Sequence, residues 1–154
     1  SYNETGENDE AMKIFTSAFD QAEKLGDKQG MGITLNSFGI MNAIRGEYDT
    51  ALEYYDRSLK IQEEIGRMYS AALTLCNIGI VHVNRDENDK AVGSLEKSLA
   101  IQKEIGLKEI ELLTTIYLYL SYKHLGKGYD EQDIHRLIKD AENIEYELNF
   151  RLHI

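Results

Sequence analysis

Four histidines, one cysteine and a surplus of carboxylates are the groups in this chain that could do chemistry. Their spacing decides which chemistry is open to them. His82, His124, His135 and His153 form neither an H-E-x-x-H motif nor an i, i+4 pair, the spacing that brings two imidazoles onto one metal from a single helix turn. Lone helix histidines are more often structural or solvated than ligands. Cys76 could act as a nucleophile only with a histidine close in space, and a buried packing thiol is the simpler reading. As the single cysteine it also excludes an internal disulfide and a cysteine-built zinc site. "DENDKA", Asp86 to Ala91, has the acidic look of a calcium loop. Its sixth position is Ala91 where glycine must bend the chain, and its twelfth is Lys97 where a glutamate must bind, so it reads as a turn with a helix N-cap at Asn88 or Asp89. "GDKQGMG", Gly26 to Gly32, has the glycines of a phosphate loop but no preceding strand and no lysine-serine pair. The many glutamates fit a solvated helix face better than acid-base pairs. The expectation is therefore no catalytic residues, no metal and no cofactor.

Composition narrows the class further. The 154 residues carry 27 acidic and 17 basic side chains, a formal net charge of -10, which repels nucleic acid and anionic membrane surfaces. No apolar run has the length of a membrane span, and no signal-peptide core opens the chain. A soluble protein in a reducing, cytoplasmic setting is expected. The chain contains no proline, so long helices can run without interruption. It opens on Ser1, which points to an excised or processed piece; the sequon Asn3-Glu4-Thr5 is short enough to arise by chance.

The elements that would position these groups are written in a repeat. "SLKIQEEIG", Ser58 to Gly66, returns as "SLAIQKEIG", Ser98 to Gly106, forty residues on. Between Glu47–Gly66 and Glu87–Gly106 ten positions in twenty are identical, and five in twenty between Glu7–Gly26 and Glu47–Gly66. A fixed period in this range marks a solenoid, whose units bury their apolar faces only against one another. Within a period the spacing is helical: Ala51, Leu52, Tyr55, Leu59, Gln62 and Ile65 make one face, and Glu53, Asp56, Arg57, Lys60 and Glu63 the other. Gly26, Gly66 and Gly106 should close such helices in the left-handed conformation. Each unit is then two antiparallel helices, with Gly39 and Gly79, Ala51 and Ala91, and Ser58 and Ser98 allowing close approach while Phe38, Ile78, Tyr55 and Leu95 fill the gaps.

The register predicts an all-α chain of about seven helices, near 8–25, 29–45, 48–65, 68–85, 88–105, 108–125 and 131–148. Tyr2 to Glu7 align with Asn42 to Glu47 and Tyr122 to Lys127, so the chain should open in the last turn of a leading helix, with Gly6 as the turn. The last helix keeps Ile134, Leu137, Ile138, Ala141, Ile144 and Leu148 at helical spacing but gains one residue at Tyr129. It reads as a terminal cap or as the prelude to a further helix begun by Phe150, Leu152 and Ile154. The repeat units fall at about 1–27, a partial unit, then 28–67, 68–107 and 108–149, in a single solenoid domain.

"LNSFGIMNAIRGEYDTALEYYDRSL", Leu35 to Leu59, resembles the tetratricopeptide repeat: Phe38-Gly39, the turn glycine Gly46, Tyr48, Ala51 and Tyr55 stand at its signature positions. The next unit keeps Leu75, Ile78-Gly79, Ala91 and Ser98 but has Asp86, Asn88 and Leu95 at other signature positions; in the third, Tyr119 replaces the glycine. The forty-residue length is similar to the extended repeats of kinesin light chains and G-protein-signalling modulators. The resemblance implies a right-handed superhelix of antiparallel helix pairs and a non-enzymatic scaffold that binds a protein or peptide, within a larger signalling or regulatory protein. It also implies that leading helices line a concave groove, selecting Ile33, Asn36, Ile40, Ala43 and Ile44, then Leu73, Cys76, Ile80, Val83 and Asn84, then Leu113, Ile116, Leu120, Lys123 and His124. The family's carboxylate clamp is missing, because Ile40, Ile80 and Leu120 occupy the position where it places asparagine. A mostly aliphatic groove suits a partner helix or an extended peptide with apolar anchors; several of these positions could instead be core. The alternative function is a peptide-sensing receptor of the bacterial repeat type, which needs polar groove groups to hold peptide backbone and for which Asn36 and Asn84 are thin support. No nucleic-acid or membrane partner is expected, and exposed solenoid ends favour self-association.

Overall fold

In a computed structural model, residues 2–128 and 130–148 are described, with side chains for 6–108, 110–128, 130–136 and 138–140. Seven helices follow one another: α1 (Tyr2–Leu25), α2 (Lys28–Ile44), α3 (Tyr48–Glu64), α4 (Met68–Asn84), α5 (Asn88–Ile105), α6 (Lys108–His124) and α7 (Glu131–Leu148). Each packs on its sequence neighbours, and α2, α4 and α6 also touch in turn, which is the stacking of paired helices in a solenoid.

The turns follow from single residues. Gly26, Gly66 and Gly106 sit at φ of 67°, 72° and 77°, where a side chain would be strained, and at each the helix is closed and the chain sent back. The alternate turns use Gly46 and Gly126 in the same way, while Asp86 takes φ 59° without being glycine. Asp27 caps α2 by accepting from the Gly30 amide at 3.0 Å. α5 departs from expectation: it begins at Asn88 with Glu87 in the cap position and no side-chain cap bond. Asn88 is instead buried inside the first turn, its amide donating to Asp86 Oδ1 at 2.9 Å. The acidic loop is thus tied down by its own asparagine.

α1 differs more. The turn expected at Gly6 does not form, and the helix runs unbroken for 24 residues. Gly6 stays exposed and helical there, and each further helical residue gains a backbone bond. The expectations for the side chains of Leu137, Ala141, Ile144 and Leu148, for the inserted Tyr129 and for the Phe150, Leu152 and Ile154 tail lie outside the described residues.

Close approach within each pair rests on two glycines. A Cβ on Gly39 would lie 2.5 Å from the Tyr55 ring, and one on Gly79 2.6 Å from Leu95, so α2 beds on α3 and α4 on α5 through the same phase. Ala51, Tyr55, Ile78 and Val81 form one core cluster; Cys76, Ala91, Val92, Leu95 and Leu118 form the next.

Candidate functional site

The leading helices α2, α4 and α6 carry the residues selected for the groove, and their exposure is graded along the stack. On α2, Ile33, Ile40 and Ile44 are 54%, 38% and 72% exposed, and Ala43 and Asn36 are half-buried. On α4, Leu73, Ile80 and Val83 are half-buried and Asn84 is exposed; on α6, Leu113 and Leu120 are half-buried, with Lys123 and His124 exposed. Cys76 and Ile116 depart from the expected set. At 4% and 2% exposure they are core, and Cys76 faces the next leading helix, α6, rather than solvent. Cys76 Sγ lies 3.4 Å from Thr114 Oγ1 of α6, and burial pushes its thiol up from the ordinary value, with the Thr114 hydrogen bond opposing. A buried, protonated thiol is a poor nucleophile.

Asn36 is also committed inward. Its Oδ1 lies 3.3 Å from the Thr74 hydroxyl and 3.5 Å from the Asn77 amide nitrogen. These contacts belong to a buried polar seam that sequence reading missed, having treated Gln62 as part of an apolar rhythm. Ser58 donates to the Gly32 carbonyl at 2.5 Å, Gln62 donates to Ser58 Oγ at 3.0 Å, and Thr74 donates to Gln62 Oε1 at 2.9 Å. Forty residues later Ser98 donates to the Ala72 carbonyl at 2.6 Å, and Gln102 donates to Ser98 Oγ at 2.7 Å and Thr114 Oγ1 at 2.9 Å. Ser58, Thr74, Ser98, Gln102 and Thr114 are wholly buried, so these bonds fix which helix faces meet. The signal was present: identical polar residues recurring at one period on an otherwise apolar face.

The remaining candidate chemistry is a surface ion cluster. Glu87 Oε1 lies 3.3 Å from His82 Nδ1 and 2.8 Å from Arg85 Nε, and its other oxygen lies 3.3 Å from Lys90 Nζ. The His82 hydrogen bond first, then Lys90 and Arg85, hold the Glu87 carboxyl below the usual range. A carboxylate shared among an imidazole, an arginine and a lysine is a poor proton acceptor. Among the described residues no three His, Cys, Asp or Glu side chains gather as a metal set, and no helix is long and apolar enough to cross a membrane. What the arrangement offers is surface: an aliphatic face on α2, continued by α4 and α6.

A family profile described as tetratricopeptide repeat matches residues 1–64 and again 31–104. No curated protein matches. Among solved structures, the crystal structure of BtubC (BKLC) from P. vanneervenii is similar at a TM-score of 0.74 and 19% identity, covering 99% of this chain and 62% of that one. The chain thus spans less than two thirds of that protein, and likeness at this identity is likeness of fold. With glycine-seated helix pairs stacked at a forty-residue period and the profile matched across residues 1–104, the chain belongs to the tetratricopeptide repeat family.

Proposed function

We propose that this chain is a non-enzymatic interaction module whose outward face on α2, α4 and α6 receives an apolar segment of a partner protein, either a helix or an extended peptide. Repeats of this family generally mediate protein–protein interactions. The observation that carries the reading is α2: Ile33, Ile40 and Ile44 recur at helical spacing on one side of the helix and stay exposed, although folding could have hidden them. Leu73, Ile80, Leu113 and Leu120, half-buried, extend the same strip over the next two leading helices. Such a strip suits two or three aliphatic anchors, and the absence of a basic clamp leaves specificity to shape. On this reading the repeat boundaries fall at about 27, 67 and 107, giving one solenoid of a partial unit and three further ones that works inside a larger signalling or regulatory protein.

The receptor reading needs polar groups free to hold a peptide backbone. Asn36 faces Thr74 and Asn77 instead, which leaves Asn84 as the exposed asparagine of the selected set. The scaffold reading therefore has the better support. A displayed random-peptide library selected on this chain should yield sequences with at least two spaced aliphatic anchors that lose binding to the Ile40→Asp, Ile44→Asp double variant. Selected peptides that bind the double variant as well as the parent would overturn the reading.

A further inference from the structure

The strip on the leading helices crosses two junctions between helix pairs, and the two are fastened differently. Where α4 meets α2 and α3, directional bonds key the contact along its whole length. Arg67, in the turn before α4, donates to Gln29 Oε1 at 2.8 Å; midway, Thr74 donates to Asn36 Oδ1 at 3.3 Å; and Arg85, at the far end, donates to Asp49 Oδ1 at 2.6 Å. Forty residues on, where α6 meets α4 and α5, all three are replaced. Tyr69 and Leu107 stand for Gln29 and Arg67, Cys76 and Thr114 for Asn36 and Thr74 with sulfur at 3.4 Å, and Asp89 and Leu125 for Asp49 and Arg85. A leucine side chain has no proton to donate, and Leu125 packs instead against the core cluster that holds Leu95 and Leu118. The bonds that do cross here are Gln102 to Thr114 at 2.9 Å, the counterpart of Thr74 to Gln62, and the Tyr122 hydroxyl to Glu96 Oε1 at 2.5 Å.

Exposed pairs such as Arg85 with Asp49 add little to stability, but a hydrogen bond holds an angle as well as a distance. Apolar contact is non-directional and keeps two helices together without fixing how one is turned on the other. We propose that the α5–α6 junction is a swivel in the folded chain, about which α6 turns against a rigid part formed by α2 to α5. Glycine seating supports that division, since Gly39 beds α2 on α3 and Gly79 beds α4 on α5, making each pair one body. The swivel rests on the docking strip proposed above and gives it two halves. Ile40 and Ile80 lie on the rigid half, and Leu120 lies on the half that turns. Partner segments that share the spacing of their first anchors and differ in the next can then be received on one strip, the second half adjusting to each.

Amide residual dipolar couplings of the 154-residue chain in a neutral alignment medium test this, fitted separately for α2 with α3, for α4 with α5, and for α6. The first two sets should share one alignment magnitude, and α6 should fall below it by about a fifth or more, because a turning helix averages its couplings. Equal magnitudes in all three overturn the swivel. Tyr69→Gln with Leu107→Arg copies the Gln29 and Arg67 pair onto the second junction and should remove much of the shortfall. The reverse exchange, Gln29→Tyr with Arg67→Leu, alters two exposed positions and should loosen the first junction, lowering the alignment of α4 with α5 below that of α2 with α3. Far-ultraviolet circular dichroism certifies the fold of both variants. Couplings that ignore both exchanges overturn the assignment of the swivel to these missing bonds. No peptide is present in the measurement, so the swivel stands or falls independently of whether selected peptides need Ile40 and Ile44.

Discussion

The two buried polar seams were laid down on one plan and finished differently. In the seam joining α2, α3 and α4, the Thr74 hydroxyl supplies the proton that Gln62 Oε1 needs, with Asn36 Oδ1 as the longer alternative. In the seam joining α4, α5 and α6, Thr114 donates back to its own helix, to Ile110 O at 2.9 Å, and accepts from Gln102. Gln102 Oε1 is then buried without a partner. Cys76 stands where Asn36 stood, and sulfur contributes only a weak bond. α1 and α2 go further and omit the plan: Ala18 and Ala22 replace the serine and glutamine, and Thr34 bonds within its own helix. The lesson is that a repeat preserves geometry more faithfully than it preserves satisfaction of buried polar atoms. In a stack held by nearest-neighbour terms, such differences decide where it parts first.

The largest effect should come from removing the glutamine that is fully used. Gln62→Leu leaves Thr74 without its near acceptor and Ser58 without its donor, at a cost of about 1–3 kcal/mol. Gln102→Leu severs as many bonds but also removes an acceptor that had no partner, so its cost should stay under about 1 kcal/mol. Urea unfolding of the two variants side by side measures the difference. Equal losses would show that the seams are energetically alike despite their geometry.

A smaller effect, seen by rate instead of by midpoint, concerns the order of opening. Cys76 is the protein's one thiol and lies inside the second seam, so a thiol reagent reports that seam alone. Burial both shields it and keeps it protonated, and modification in native buffer should be slower than in the unfolded chain by about a hundredfold or more. As urea is raised, Cys76 should become reactive before the helical signal is lost, because the incomplete seam yields first. Labelling that tracks the loss of helix point for point would mean the stack opens as one unit.

How much of this could be read from the letters depends on the physics behind each feature. Helix limits were legible almost to the residue, 29–45 against Lys28–Ile44 and 88–105 against Asn88–Ile105, since glycine at a left-handed turn and 3.6-residue spacing are local signals. The unbroken α1 was not, because glycine permits a left-handed turn without enforcing one. The face of a helix was legible to within part of a turn. Ile33, Ile40 and Ile44 are exposed, but Cys76 and Ile116 are core and Asn36, at the same phase, bonds inward, since spacing alone does not tell which side of a broad helix face meets solvent. The seams were overlooked for a different reason: hydrophobic patterning counts a buried glutamine as noise, and only its recurrence with serine and threonine shows that it has assigned partners.

The smallest effect separates the two turns that carry ion pairs, and it is a matter of pH. Arg85 reaches Asp49 at 2.6 Å, and its counterpart Arg45 lies 3.7 Å from Asp9, so the motif is repeated with a looser first copy. Glu87 adds His82 to the second copy; the first has Asn42 there, whose amide donates to Phe38 O at 2.8 Å. His82 first, then Lys90 and Arg85, hold the Glu87 carboxyl below its ordinary value. The folded chain therefore takes up that proton less readily than the unfolded chain. The stabilisation is complete above the usual carboxylate pKa of about 4.3 and is lost as the pH falls through the lower folded value. Asp56 runs the other way, because burial raises its carboxyl more than His82 lowers it, which makes paired variants more informative than one acid titration. Melting temperatures measured at low salt from about pH 6 to about pH 3 should fall less steeply in Glu87→Gln than in the parent, and Glu47→Gln should follow the parent curve. If the two variants flatten the acid limb equally, the imidazole is not what distinguishes the turns, and the difference between them reduces to the distance of one arginine from one aspartate.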